Sequence, residues 1–224
     1  MPSNKNILLI GATGGTGRES LQQLAQHPSQ PKLHALVRDP TRLDDMAKLL
    51  TTITTGNARN ENDVIAALRE SQADFVIMSI GNGDDLSKTD LRTKSAQALA
   101  RALAMPEFEK VQVLCVSSHG AGGSRIIVGM GMGRLIERYI RNILKDHNGQ
   151  EAALEPFLDR TTIVRPTALT VDKPAARLTT FGDKAKAPTI QTDRADLAAW
   201  IVHQICDSDK PLGHLAVNLT GLKK

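Results

Sequence analysis

The stretch Lys5–Ser20, KNILLIGATGGTGRES, decides how this chain is read. Ile7-Leu8-Leu9-Ile10 is a continuous apolar run, the pattern of a strand buried on both faces of a parallel sheet. The run stops at Gly11. Gly14, Gly15 and Gly17 follow, and Leu21, Leu24 and Ala25 then recur at helical spacing. Strand, glycine-rich turn and helix in that order predict the front of a dinucleotide-binding βαβ unit. Gly11 permits the tight turn, Gly14 lets the backbone approach a pyrophosphate, and Gly17 lets the helix pack closely. The free N–H groups of the helix's first turn would point at the phosphates, helped by the helix dipole. An ordinary glycine-rich turn is the alternative; the apolar strand before it and the helix after it argue against that.

Working outward, Lys32–Val37, KLHALV, predicts a second strand ending at Arg38-Asp39-Pro40. In such a unit this strand end meets the adenosine ribose, where an acid favours NAD and an arginine can hold the 2′-phosphate of NADP. Arg38 is the first residue after the apolar run, and Arg18, just past the last glycine, could approach the same phosphate. Asp39 precedes a proline and fits a turn or cap. NADP is therefore expected over NAD.

Further along, Thr41–Leu50 has helical spacing and Thr51–Thr55 is β-branched, closing at Gly56-Asn57, where Asn57 could bond an adenine edge. Glu61–Ser71 reads as a helix capped by Asn60 or Asn62. Asp74–Ile80 is a fourth strand ending at Gly81-Asn82-Gly83, Ser87–Ala104 a helix, and Val111–Ser117 a fifth strand running into Ser118-His119-Gly120. Gly120–Gly133 is dense in glycine and reads as a mobile loop over the cleft. Helices are expected over Leu135–Lys145, with Tyr139 on the apolar side, and over Gln150–Leu158. Thr161–Arg165 is a sixth strand, Pro174–Pro188 irregular, and Thr189–Gln191 a short extended piece. A helix capped by Thr192-Asp193 and a last strand, His214–Leu219, follow.

Strands and helices thus alternate. The expected fold is α/β, a single doubly wound domain over residues 1–224, its mostly parallel sheet ordered 3-2-1-4-5-6 with a final edge strand and helices on both faces. Small substrate-side elements are expected at 119–134 and 168–192. The net charge of +4 is mild, basic residues are scattered and aromatics scarce, so no nucleic-acid partner is expected. With no long apolar run and no leader-like N-terminus, no membrane partner is expected either and a cytoplasmic location is. Cys115 and Cys206 read as core residues rather than a disulfide or metal pair, and no metal site is expected.

The chain resembles the atypical short-chain dehydrogenases of the NmrA-like group, most closely their NADPH-dependent flavin reductase and biliverdin-IXβ reductase branch. The shared motifs are GATGGTG at 11–17, LVRDP at 36–40, CVSS at 115–118, KDHNGQEAAL at 145–154, TIVRP at 162–166 and RADLA at 194–198. The resemblance implies a Rossmann fold in which Gly11, Thr13, Gly14, Gly15, Thr16, Gly17 and Arg38 bind NADP. It places Ser79 and Gly81 beside the adenosine, Ser117 and Pro166 along the cofactor, and Ser118 on the nicotinamide side. The tyrosine–lysine pair of ordinary short-chain dehydrogenases is missing, since Ile143 stands where the lysine would follow Tyr139.

Hydride transfer to a flavin or tetrapyrrole needs orientation and a dry site more than a protein acid. Ser118 could orient the carboxamide or the acceptor, and His119 could supply a proton. Glu151, four residues from His147 on one helix face, is a second proton-donor candidate. The expected activity is NADPH-dependent reduction of a flat conjugated small-molecule acceptor, a flavin, a quinone or similar, by a monomer or small homo-oligomer. The alternatives are a non-catalytic NADP-sensing regulator and, with no acid–base pair to name, an isomerase or epimerase.

Overall fold

A computed structural model describes residues 5–83, 85–175 and 177–222. The opening strand β1 (Asn6–Ile10) leads through the glycine turn into α1 (Gly15–Ala25), and β2 (Lys32–Val37) pairs parallel to β1. After β3 (Thr52–Thr55) and α2 (Glu61–Ser71), β4 (Phe75–Met78) pairs with the other side of β1. Next come α3 (Leu91–Leu103), β5 (Gln112–Val116), α4 (Met132–Tyr139) and α5 (Arg141–Leu154). The chain closes with β6 (Thr161–Pro166), β7 (Ala168–Thr170), β8 (Arg177–Phe181), β9 (Gln191–Asp193), α6 (Arg194–Val202) and β10 (Leu215–Leu222).

One sheet carries β3-β2-β1-β4-β5-β6-β10-β8, and β7 and β9 form a short parallel pair beside it. The chain reverses direction across the sheet between β1 and β4, as the alternating pattern predicts. The far edge differs. β10 lies parallel to β6 inside the sheet, and the edge is β8, antiparallel and drawn from the stretch read as irregular. Alternation within Arg177–Phe181 is short and polar on both sides, so it carries little strand signal.

Burial explains the run of β1. Ile7 and Leu9 pack with Leu21 and Leu24 of α1 and Leu197 and Ile201 of α6 on one face. Leu8 and Ile10 pack with Val64 and Leu68 of α2 and Leu99 of α3 on the other. Each such side chain contributes roughly 1.5–3 kcal/mol on leaving water. With both faces covered, the strand is apolar at every position.

Three helical expectations change. Thr41–Leu50 forms only two short 3-10 turns, Pro40–Leu43 and Ala47–Leu49, the first capped by Asp39 accepting from Thr41 N. The helix expected over Leu135–Lys145 breaks at Ile140, and α5 then runs unbroken to Leu154 before a 3-10 stretch, Glu155–Arg160. Tyr139 is 73% exposed and not part of the core, because α4 buries the face that bears Ile136 and Ile140 instead. Cys115 is buried and Cys206 partly so, both as free thiols. Among the described residues no helix is long and apolar enough to cross a membrane.

Candidate functional site

The glycine turn does the work expected at two positions and something more at a third. Gly11 has φ of +106°, and a Cβ there would lie 2.5 Å from the Ser79 carbonyl oxygen. At Gly17 a Cβ would lie 2.2 Å from the Gly11 carbonyl oxygen, so only glycine lets α1 start this close to the strand end. Gly15, expected to face the cofactor, lines both lobes of the groove and also seats the Arg194 side chain, whose Cδ would be 2.8 Å from a Cβ. Helix α1 begins with no side-chain cap and no acid in its first turn, leaving its amides and positive dipole end unsatisfied.

A groove crosses the carboxyl ends of β1 and β4 at this point. The lobe expected to take the adenosine, about 540 Å³, is lined by Gly11, Thr13, Arg38, Arg42, Asn57, Ser79 and Gly81. Its second lobe, about 450 Å³, shares Gly14, Gly15, Ser79 and Gly81 with the first and adds Thr16, Ser117, Ser118 and Pro166. A dinucleotide fits this shape: a glycine cradle at an uncapped helix start between two joined lobes. Arg18 does not face the groove. It is ion-paired with Asp45 and donates to the Arg42 carbonyl at 3.0 Å, so Arg42 replaces it as the second guanidinium in the lobe with Arg38.

Beyond the second lobe lies an apolar cavity of about 180 Å³, walled by Ile126, Ile127, Val128, Ile136, Ile140, Ala187 and Ile190. It meets the groove at Ser118, Pro166, Thr167 and Ala168. Thr167 commits its hydroxyl to Thr192 and Thr220, whereas Ser118 Oγ makes only a 3.2 Å contact to the His119 carbonyl. Ser118 is therefore the available hydroxyl at the junction.

The expected proton donors are placed otherwise. Glu151 is buried and points away from the groove: it accepts from Arg165 Nε at 3.0 Å and Nη2 at 2.6 Å, and from Ser117 Oγ at 2.5 Å. Both its oxygens are committed as acceptors, and the Ser117 hydroxyl is committed with them. His119 lies in the cavity wall, held by a 3.4 Å contact from Nδ1 to Asn218 Oδ1 and edge-on to Phe181. Its Nε2 is closed off from solvent with no partner among the described residues, and burial, the largest effect, lowers its pKa, which favours the neutral ring. His147 lines the second lobe, with burial first and the nearby Arg92 charge next pushing its pKa down to about 3.

Sequence reading missed Arg42, Arg194 and the buried Arg92, which lines the second lobe and donates to Asp146 Oδ2 at 3.3 Å and Asn82 Oδ1 at 3.1 Å. RADLA was visible as a motif, but nothing local aims its Arg194, or the Arg42 that follows LVRDP, at the groove.

Solved structures of similar fold span almost the whole chain. ChuY, an anaerobillin reductase from Escherichia coli O157:H7, is 19% identical, with 96% of each chain covered and a TM-score of 0.72. A short-chain dehydrogenase/reductase from Veillonella parvula in complex with NADP is 16% identical over 96% of this chain and 94% of that one, TM-score 0.70. A Rossmann-fold NAD(P)-binding family protein from Shigella flexneri is 20% identical over 99% and 98%, TM-score 0.68. Among curated proteins none matches. The family model described as NAD(P)H-binding matches residues 11–208, the whole groove included, and the protein belongs to that family.

Proposed function

We propose that this protein is an NADPH-dependent reductase that passes a hydride to a small conjugated acceptor held in the aliphatic cavity. The single observation carrying this reading is that the cavity opens onto the dinucleotide groove at Ser118, so donor and acceptor rings would meet there. Bound nicotinamide supplies the hydride. The chain orients it through the glycine turn and Pro166, excludes water with aliphatic walls, and offers the Ser118 hydroxyl to an acceptor oxygen. A conjugated acceptor spreads the incoming electron pair and can take its proton from solvent after the transfer, which suits a site whose Glu151 is turned to Arg165 and Ser117 and not to the groove. The cavity's modest volume favours a quinone-sized ring system over a whole flavin.

Arg38 and Arg42 at the adenosine lobe support NADPH over NADH, and the NADP bound to the Veillonella structure is consistent with it. The test is loss of NADPH absorbance against a panel of quinones, flavins and tetrapyrroles. Turnover of none of them would remove the reductase reading.

The committed state of Glu151 and the exposure of Tyr139 also favour a second reading, a sensor that binds NADP without turnover. It predicts tight dinucleotide binding together with silence across that panel.

A further inference from the structure

Arg194 is the first residue of α6, and Asp193 fixes it there by capping that helix, accepting from Ala195 N at 2.9 Å. From this position its side chain crosses to α1 and lies on Gly15, with Cδ and Nε 2.8 and 2.9 Å from where a Cβ would stand. It lines the second lobe next to Gly14 and Thr16. The acids beside it in sequence face elsewhere: Asp193 Oδ2 accepts from Lys173 N at 2.9 Å, and Asp196 Oδ2 from Ala175 N at 2.7 Å. Among the described residues Arg194 is in no ion pair.

A guanidinium packed on the uncapped start of a helix sets a cation against the positive end of a dipole, with no acid in the first turn to offset it. Such an arrangement is unfavourable until an anion lies against both. We propose that Arg194 is a second anchor of the diphosphate site, holding the bridging phosphates from beside the first-turn amides of α1; this rests on the dinucleotide occupying the groove. Position 15 is then glycine to seat the arginine side chain at the edge of the groove. A planar fork of donors is the group that matches phosphate oxygens in pairs.

The test is calorimetric titration of wild type, Arg194→Met and Arg194→Lys with NADPH, ADP and 2′-AMP. ADP carries the diphosphate, and 2′-AMP carries only the ribose phosphate. Arg194→Met is expected to lose about ten- to a hundredfold in affinity for ADP and NADPH, as for a lost charge-assisted bond, with 2′-AMP unchanged. Arg194→Lys is expected to recover part of that loss. Without ligand, Arg194→Met is expected to melt no lower than wild type, because the cation only strains the empty cleft. The proposal is overturned if Arg194→Met binds ADP as wild type does, or if ADP and 2′-AMP weaken by the same factor. If wild type binds none of the three, the dinucleotide reading itself fails, which is a separate result.

Discussion

Glu151 and Arg165 face each other across the α5–β6 packing as a two-pronged pair, Oε1 3.0 Å from Nε and Oε2 2.6 Å from Nη2, with side chains 8% and 5% exposed. Arg165 also reaches Asp183 at 3.2 Å and the Gly122 carbonyl at 3.1 Å, so the pair ties the loop after β5 to the sheet. Breaking one partner of such a pair leaves an uncompensated buried charge. Glu151→Gln should lower stability by about 3 kcal/mol, seen as a lower urea midpoint at unchanged slope. The folded fraction should keep its NADPH affinity. Full stability would mean that the pair does not hold the loop.

His147 makes the fold sensitive to acid. Its ring is buried, with Nδ1 3.1 Å from Gln150 Oε1, and its folded pKa is held down at about 3. In the unfolded chain it titrates near 6.5, so below that pH the unfolded state binds a proton that the folded state refuses. Stability is whole above pH 6.5 and falls as pH drops toward 3. Between pH 7 and pH 5 the loss from this one group is about 2 kcal/mol. His34 and His119, also buried and lowered, act in the same direction. Urea midpoints at the two pH values should converge in His147→Gln; an unaltered pH dependence in that variant would exclude His147 as the source.

Arg38 and Arg42 border the same lobe, and among the described residues neither is in an ion pair. Arg38→Glu should cut the ratio of NADPH to NADH affinity by at least tenfold, since it removes a charge-assisted bond and sets a carboxylate against the 2′-phosphate. Arg42→Ala should cut it less. The comparison needs both coenzymes titrated against both variants, and an unchanged ratio in Arg38→Glu would remove Arg38 from phosphate recognition.

The first half of this architecture is legible because its signals are local. An apolar run, four glycines and a helical stripe follow one another within Lys5–Ala25, and the turn geometry at Gly11 and Gly17 comes directly from that spacing. What could not be read are choices made by distant partners. Glu151 and His147 sit on one helix face, yet Glu151 turns to Arg165 on a strand and His147 to the groove. Tyr139 fits an apolar stripe, yet with Leu135 it falls on the exposed side of α4 while Ile136 and Ile140 turn to the cavity. In the Gly120–Gly133 loop the sequence does not show the anchors, Ala121 and Ser124, which are buried, or that Gly122, at φ +58°, fits against Arg165 and Glu151 where no side chain could. Local propensity was overruled by packing in each case.

The aliphatic cavity can be closed without touching the groove. Ala187 is 8% exposed in its wall, which it shares with Ile136 and Ile140, and lines neither lobe of the groove. A phenyl ring at 187 would occupy space that the acceptor needs, at a packing cost of about 1–3 kcal/mol. Ala187→Phe should therefore bind NADPH as wild type does and lose turnover of any acceptor the wild type reduces, with the effect in acceptor KM or in outright silence. Ser118→Ala should do the reverse, leaving acceptor access open while lowering kcat, because it removes the one free hydroxyl at the junction. If Ala187→Phe turned over acceptors at the wild-type rate, the acceptor would have to enter from another side of the groove.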